Sequence, residues 1–402
     1  MIPDSNVVNL FEYVPVRLPA NRISSETGQL LWQKYDGKIL VAEPSFRTDH
    51  QWELTSLGWV GFIPFSDELS LHLKSKVPLQ NLFGMWEYAY RLNSFHILPE
   101  LFHCESMQEF YGQLASILAK RIIDRGRKGY YRTYLPKTED LSYLKGRLDI
   151  NRIITKPWEP RPKCHYQENS VDIDDNQILA WTLFTILHSG YCPESVLPTI
   201  RSAYRTIAHV VTLYPFSPEN CSKRLYNRLN QDYEPLHGLC RFFLENTGPS
   251  QEVGDRTMLP FLVNMARLFE LFIAEWLKLH LPSQFRLVSQ EEFSIGSDYR
   301  VTFKMDLVIS DALTNRPLIV LDTKYKTSEK PSPEDIAQIG FYAMAKDCRD
   351  AVLVYPSVIT QPLDTAVNHI RIHSATFELD KDLEESGQKF LQSLVKEYYE
   401  QG

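Results

Sequence analysis

The stretch Leu318–Tyr325, LIVLDTKY, decides the fold of the C-terminal third of the chain. Four apolar residues run directly into an acid, which is typical of a strand buried on both faces. Asp322 and Lys324 are two residues apart, so on a strand their side chains share a face. A carboxylate and an ammonium at the end of a buried strand are costly unless they are paired or functional. The stretch therefore predicts either a functional site at the end of a central strand or a simple ion pair at its edge.

A second acid, Asp306, precedes three apolar residues in the segment VTFKMDLVIS, residues 301–310. Residues 310–316 suit a turn, and a hairpin would bring Asp306 alongside Asp322. Metal-dependent phosphodiester cleavage needs carboxylates that converge on a divalent ion and a cation near the developing charge. We therefore predict that Asp306 and Asp322 bind Mg²⁺ or Mn²⁺ and that Lys324 acts beside them.

The helices on either side of these strands add three polar residues. In a predicted helix over 257–282, Glu270 lies on an inward apolar stripe, where a metal site would provide the partner that it needs. The stripe consists of Val263, Ala266, Ile273 and Leu277. A later helix that begins near Ser332 places Gln338 and Tyr342 on one face, because they are four residues apart. Each residue alone also fits a partly exposed helix position, so the prediction depends on the ordered set.

The chain has 402 residues, enough for two or three domains. Residues 1–104 are β-rich, with short strands interrupted by Pro, Gly and Asp. Residues 105–254 are mainly helical, because four segments carry apolar residues at helical spacing. Residues 255–402 alternate helices and strands and end in a predicted surface helix. The sequence therefore predicts an α+β multi-domain protein with a C-terminal α/β domain.

Composition narrows the class of protein. Hydrophobic residues make up 44% and charged residues 23% of the chain, as in ordinary soluble globular proteins. A net charge of −7 argues against a surface that binds nucleic acid throughout, but a site made of carboxylates is acidic by construction. No apolar run approaches the roughly 18 residues of a membrane span, and the first residues do not resemble a secretory signal. We expect a cytoplasmic protein without a membrane partner.

The six cysteines include no CxxC pair. The adjacent pairs His103-Cys104 and Cys164-His165 have a poor spacing for zinc ligands. Buried free thiols are therefore favoured over a structural zinc site.

The set of Asp306, Asp322-Thr323-Lys324 and Gln338-xxx-Tyr342 resembles the RecB-like branch of the PD-(D/E)xK nucleases. The acid before x-Lys is Asp rather than Glu, which this class allows. The resemblance implies that residues 255–402 form a PD-(D/E)xK nuclease domain. It also implies catalytic roles for this set and a metal site at Asp306 and Asp322, with Glu270 as a shared or supporting ligand.

Three segments of the middle region resemble McrC proteins, the nuclease subunits of restriction systems that depend on modified cytosine. These segments are LKGRLDI at 144–150, CHYQENSVD at 164–172 and DNQIL at 175–179. The resemblance covers roughly residues 75–350 and implies a McrB-like AAA+ GTPase ring as partner and modified double-stranded DNA as substrate. The chain has no GxxxxGK[ST] phosphate-binding loop, which agrees with a motor on another subunit.

Two other functions stay open at this point. The chain could be a non-catalytic activator of the motor that uses the nuclease fold as a scaffold, or a stand-alone RecB-like repair nuclease. The acid and lysine set favours a nuclease subunit, and the McrC-like middle region disfavours the repair nuclease. Residues 1–250 are expected to bind the motor. Within them Arg125, Arg127 and Lys128 are candidates for contacts with the ring or with phosphate, against the alternative of a solvated helix end.

Overall fold

The chain folds into two compact units in the computed structural model. One unit combines Met1–Phe110 with Gly248–Gly402, and the other comprises Tyr111–Thr247. The regions 1–104 and 255–402, predicted as separate, thus belong to one unit, and the region 105–254 approximates the other. The structure describes residues 7–66, 69–90, 107–222, 224–247, 251–253, 256–258, 261–295, 301–326 and 328–399.

The described residues form eleven α-helices and eighteen strands, and this mixture confirms the α+β class. The helices are α1 (Ser25–Tyr35), α2 (Leu79–Ala89), α3 (Met107–Lys128), α4 (Ile150–Thr155), α5 (Asp174–His188), α6 (Leu197–Ala208), α7 (Pro218–Ser222), α8 (Tyr233–Asn246), α9 (Met265–His280), α10 (Pro333–Lys346) and α11 (Leu383–Tyr399). The strands are β1 (Val7–Phe11), β2 (Val16–Leu18), β3 (Ile39–Ala42), β4 (Trp52–Ser56), β5 (Trp59–Ser66), β6 (Leu69–Lys74), β7 (Thr133–Asp140), β8 (Arg147–Leu148), β9 (Lys163–Ser170), β10 (Gln251–Val253), β11 (Arg256–Met258), β12 (Phe261–Asn264), β13 (Phe285–Ile295), β14 (Val301–Asp311), β15 (Pro317–Thr323), β16 (Asp350–Tyr355), β17 (Asp364–Val367) and β18 (Ile370–Thr376).

A six-stranded mixed sheet with the order β13-β14-β15-β16-β18-β17 forms the C-terminal part of the first unit. The first three strands are antiparallel, whereas β15, β16 and β18 run parallel. Helix α10 connects β15 to β16 and packs its apolar residues, among them Ile339 and Ala343, on the sheet. The predicted strands and helix of this region are confirmed, and the exposed edge strand β17 was missed.

A four-stranded sheet with the order β1-β6-β5-β12 joins the N-terminal and C-terminal segments of the first unit. Strand β12 pairs antiparallel with β5, so that Val263 lies opposite Val60. The prediction of one helix over 257–282 is therefore wrong in its first part. Helix α9 begins at Met265, and the side chain of Asn264 caps it by accepting from the backbone N–H of Arg267.

Two helices also interrupt the region predicted as β-rich. Helix α1 begins after Ser24, whose side chain accepts from the backbone N–H of Thr27, and α2 follows Pro78. The second unit was predicted as mainly helical, but it also contains strands. It contains the three-stranded sheet β7-β9-β8 beside the predicted helices. The strands of this sheet are polar and largely exposed, so they lack the apolar alternation that marks a strand in a sequence.

The helices of the second unit surround a buried polar centre at Asn176. Its amide donates to the carbonyl oxygens of Tyr131 and Val171 at 2.9 and 2.7 Å, and its oxygen accepts from the hydroxyl of Tyr233 at 2.7 Å. A buried amide with these partners fixes the start of α5 against α8, since an unpaired one would be costly.

Five cysteines of the described residues are buried free thiols, namely Cys164, Cys192, Cys221, Cys240 and Cys348. His103 and Cys104 lie outside the described residues. In the part of the chain that the structure describes, no helix has the length and apolar character needed to cross a membrane.

Candidate active site

Asp306 and Asp322 lie on neighbouring strands of the six-stranded sheet. Strands β14 and β15 are antiparallel, and their register pairs Leu307 with Leu321. Continued by one residue, this register places Asp306 opposite Asp322. The hairpin expected from the sequence is therefore confirmed, and the two acids come to the same end of it.

The Asp306 carboxylate is held by the residue between Asp322 and Lys324. Its Oδ2 accepts from both the backbone N–H and the hydroxyl of Thr323, each at 2.8 Å. Two donors on one oxygen fix the orientation of this carboxylate relative to β15. The sequence did not indicate Thr323 as a site residue, because the middle position of an acid-x-Lys motif has no required chemistry.

Asp322 is the most buried acid of the site, with only 3% of its surface exposed. The Lys324 ammonium lies 2.6 Å from its Oδ2. Burial raises the pKa of Asp322 to about 6; the charge of Lys324 opposes the rise and that of Asp306 adds to it. The site thus holds more negative charge than Lys324 alone neutralises, which is the electrostatic condition that a bound cation relieves.

Lys324 contacts three side chains at once. Besides Asp322, its ammonium lies 3.6 Å from Oδ1 of Asp335 and donates to Oε1 of Gln338 at 3.1 Å. Burial by itself lowers the pKa of Lys324, but the neighbouring carboxylates outweigh it and the pKa is raised. The side chain is therefore a cation with a fixed position.

Asp335 is a second residue of the site that the sequence did not mark as functional. It belongs to the first turn of α10, where its backbone N–H donates to the hydroxyl of Ser332, and its carboxylate pairs with Lys326. Burial raises the pKa of Asp335, yet the bonds from Lys326 and Ser332 prevail and hold it below its usual value. The sequence indicated this acid only as a helix-start residue.

Gln338 and Tyr342 reach the site through Lys324. The Gln338 amide donates to the Tyr342 hydroxyl at 2.9 Å while its oxygen accepts from Lys324. Tyr342 is buried against the sheet and gives this chain of bonds a rigid base. The predicted common face on α10 is present, and these two residues hold the lysine.

Glu270 approaches the site from α9. Its carboxylate pairs with Arg267 at 2.9 Å and accepts from the Gln290 amide at 2.8 Å. Burial and the charge of Asp306 raise the pKa of Glu270, against the opposing effect of Arg267. The predicted stripe needs correction, since Val263 belongs to β12 and Ala266 is exposed. Glu270 therefore lies at the margin of the buried helix face.

Gln290 has an unusual backbone and was not predicted. Its φ of 56° is in the left-handed region, which is uncommon for residues other than glycine. It interrupts the β13–β14 pairing between Ser289–Leu307 and Glu291–Met305, at the position opposite Asp306. Such irregularities in a ladder often serve to direct a side chain toward a site. Here the Gln290 side chain is directed toward Glu270, to which its amide donates a hydrogen bond.

The acids offer hard oxygen ligands of the kind that Mg²⁺ and Mn²⁺ accept. Among the described residues, no group of three or more His, Cys, Asp and Glu has the geometry of a complete metal cage. Mg²⁺ usually needs only one or two carboxylates, because waters and substrate phosphates complete its shell. Asp306 and Asp322 fit that role, and Glu270 interacts with Asp306 through its charge.

The basic segment at the end of α3 is partly structural. Arg125 lies 3.4 Å from Asp232 and stacks its guanidinium over the Tyr233 ring at 5.2 Å. Arg127 is largely exposed and pairs with Asp124, and Lys128 is exposed as well. Of the three basic candidates, only Arg127 and Lys128 present their charges to solvent.

Comparisons with known proteins agree with the sequence resemblance. The model of a family described as "McrBC 5-methylcytosine restriction system component" matches residues 54–356. The type IV methyl-directed restriction enzyme EcoKMcrBC of Escherichia coli (strain K12) is 23% identical over 319 residues, which cover 73% of this chain and 88% of the relative.

A solved structure has a similar fold. It is a chain from the refined half-complex of a tetradecameric assembly of Thermococcus gammatolerans McrB AAA+ hexamers with bound McrC. The similarity covers 97% of this chain and 100% of that one, with a TM-score of 0.56 and 18% identity. The family model extends over most of the chain, from β4 to the end of β16. The chain therefore belongs to the family of McrBC 5-methylcytosine restriction system components.

Proposed function

We propose that this chain is the nuclease subunit of a McrBC-like restriction complex, a metal-dependent endodeoxyribonuclease with a PD-(D/E)xK domain. The observation that supports it best is the convergence of Asp306, Asp322 and Lys324 at one end of the β14–β15 hairpin. An edge ion pair alone would not explain a second acid fixed by two donors and a lysine fixed by three acceptors.

Each residue has a definite task in phosphodiester hydrolysis, in which water forms a new P–O bond and one P–O ester bond breaks. Asp306 and Asp322 would hold Mg²⁺ or Mn²⁺, which when bound polarises a phosphoryl oxygen and stabilises the developing charge. Lys324 places a positive charge next to the attacking water and the reacting phosphate. Gln338 and Tyr342 keep that ammonium in place. Glu270, held by Arg267 and Gln290, supports the negative potential behind Asp306.

We further propose a McrB-like AAA+ GTPase ring as the partner, modified double-stranded DNA as the substrate, and the cytoplasm as the location. The McrC of the similar solved structure is bound to McrB AAA+ hexamers, which supports the first of these. The region 134–158 of the second unit fits a protein contact, because large apolar side chains are exposed there and Trp158 is 74% exposed. The others are Tyr134, Tyr143, Leu144, Ile150, Ile153 and Ile154.

The two other functions are separated by one experiment. The chain is mixed with GTP, Mg²⁺ and either methylated or plain DNA, once with the GTPase and once without it. Cleavage and GTP hydrolysis are both measured. A nuclease subunit cuts methylated DNA only with the motor, and an activator raises GTP hydrolysis without cutting. A stand-alone repair nuclease cuts plain DNA without the motor. The Asp322→Ala chain is the control for contaminating nuclease.

A further inference from the structure

A small cavity in the first unit lies beside the candidate active site. Its volume is about 160 Å³, and it is lined by Tyr325 and Lys326, which directly follow Lys324. Pro78 and Pro356 contribute to its mainly apolar wall. This volume is well below the roughly 300–1,000 Å³ of pockets for drug-sized ligands. An organic occupant would be a single small ring system.

A buried carboxyl group faces this cavity. Glu12 is completely buried and lines the space. Its Oε2 accepts from the backbone N–H of Lys76 at 2.9 Å and from the Tyr325 hydroxyl at 3.2 Å. Its Oε1 has no hydrogen-bond partner within the described structure. Buried polar atoms are rarely left unpaired, so this oxygen indicates a ligand that brings an N–H or O–H donor.

The other polar groups of the lining indicate what accompanies that donor. Lys76 and Lys326 line the cavity together with Ser357 and one more acid, Asp380, and the Lys76 ammonium lies 5.7 Å from the centre of the Tyr13 ring. Lys326 pairs with Asp335, which is also 3.6 Å from the Lys324 ammonium. A planar, donor-bearing ring next to positive charge is the chemistry of a nucleotide. Pockets for flipped bases combine a hydrogen bond to the base edge with aromatic and apolar walls.

We propose that this cavity binds a nucleobase of the DNA strand beside the cleavage site, with Glu12 Oε1 accepting an N–H of the base. Lys76 and Lys326 then lie where the phosphates of the same strand pass. This inference rests on the proposed function, because it takes DNA as the ligand. It assigns Glu12 and the cavity to holding the strand and leaves the cleavage chemistry to Asp306, Asp322 and Lys324.

Base binding is tested in the full chain carrying Asp322→Ala, so that the DNA stays intact. The first probe is the set of four deoxynucleoside 5′-monophosphates, titrated by calorimetry. The second is a single-stranded oligonucleotide with one 2-aminopurine, whose fluorescence rises when the base leaves the stack. Both signals are measured again after Glu12→Leu, which removes the acceptor, and after Ser357→Tyr, which fills the cavity from its rim and leaves Glu12 intact.

We expect the oligonucleotide signal with the unaltered cavity and at least a tenfold loss of affinity in each cavity variant. Ser357→Tyr keeps the test informative if Glu12→Leu does not fold. No binding of the oligonucleotide would overturn the inference, and so would variants that bind it as tightly as the unaltered cavity does. Binding of the free nucleotides with none of the oligonucleotide would overturn it as well. Cleavage by the chain with Asp322 intact is followed separately. Cleavage without base binding would refute only the inference, whereas base binding without cleavage would refute only the proposed nuclease.

Discussion

At the scale of single residues, the candidate site is a balance of charge. Asp322 lies between the positive Lys324 and the negative Asp306, and burial raises its pKa, with Asp306 adding to the rise and Lys324 opposing it. Removing Asp322 therefore has two opposing effects on stability. It leaves Lys324 without its closest partner, but it also ends the repulsion with Asp306. Lys324 also keeps Asp335 and Gln338 as partners, so its charge stays compensated and loss of function here need not mean loss of folding.

We expect Asp306→Ala, Asp322→Ala and Lys324→Ala each to abolish DNA cleavage, by at least about 10²–10³-fold per lost electrostatic contact. Glu270→Gln should reduce cleavage less, because an amide can keep the hydrogen bond from Gln290 and only the charge is lost. Single-turnover cleavage assays with Mg²⁺ measure the series, and thermal unfolding checks each fold. Undiminished cleavage by Asp322→Ala would refute the assignment of the site.

The sequence predicted the residues of this site that carry obvious chemistry. Asp322 and Lys324 were recognisable because a strand buried on both faces ends in an acid and a lysine. Thr323, Gln290 and Asp335 were not. Thr323 acts through its backbone N–H as well as its hydroxyl, and Gln290 depends on a left-handed backbone. Both depend on the register of three strands, which local patterns do not determine.

At the scale of elements, the C-terminal helix and the start of α9 show where periodicity is ambiguous. Helix α11 was predicted as a surface helix, yet Phe390 and Leu394 are buried in the structure. The run Phe261–Asn264 is apolar and short, and such a run fits a helix as well as a buried strand. Its strand conformation is decided by β5, about 200 residues earlier in the chain, which offers the free ladder positions.

Gly61 is the residue that permits this pairing. Its φ is 141°, and a Cβ atom there would lie 2.0 Å from the Phe261 carbonyl oxygen. We expect Gly61→Ala to destabilise the first unit by about 2–3 kcal/mol, through strain and a displaced β12. Gly37→Ala is the matched control, because Gly37 also has a positive φ but nothing within 4 Å of its Cβ position. Thermal unfolding of both variants measures the difference, and equal losses would contradict a specific role of the β5–β12 contact.

A buried histidine makes one element of the second unit sensitive to acid. In α8, His237 donates to the Asp175 carbonyl and accepts from the Tyr226 hydroxyl in its neutral form. Burial lowers the pKa of His237, although the bond to Asp175 opposes the shift. The unfolded state then binds more protons than the folded state below about pH 6.5. Stability should therefore fall as the pH drops below that value, by at most about 1.4 kcal/mol per pH unit.

Amide hydrogen exchange in α8 at pH 7.5 and pH 5.5, corrected for intrinsic exchange rates, measures this effect. His237→Gln is the comparison, because it does not titrate and can keep one donor and one acceptor. We expect its protection to change less between the two pH values than that of the unaltered chain. The same change in both chains would mean that another group causes the acid sensitivity.

At the scale of the whole molecule, the chain separates into a unit that holds the candidate active site and a second unit without it. The first unit contains the acids, the lysine and the cavity at Glu12. The second unit contains the exposed apolar region 134–158, which we proposed as a protein contact. The cleavage chemistry can therefore be removed without altering the proposed contact in the second unit, provided that the variant stays folded.

The motor provides the test of this division. With the Asp322→Ala chain we expect stimulation of GTP hydrolysis by the McrB-like ring to persist while DNA cleavage is lost, because Asp322 is in the first unit. Trp158→Ala should reduce stimulation severalfold, and motor-dependent cleavage with it, since a large exposed aromatic residue is a typical anchor of a protein interface. The Arg127→Ala variant tests the other candidate contact: reduced stimulation would assign a ring contact to the end of α3, whereas unchanged stimulation would mean that this charge is only solvated. If stimulation disappeared together with cleavage in a well-folded Asp322→Ala chain, the two functions would share one site. In that case the motor would have to contact the end of the β14–β15 hairpin where Asp306 and Asp322 meet.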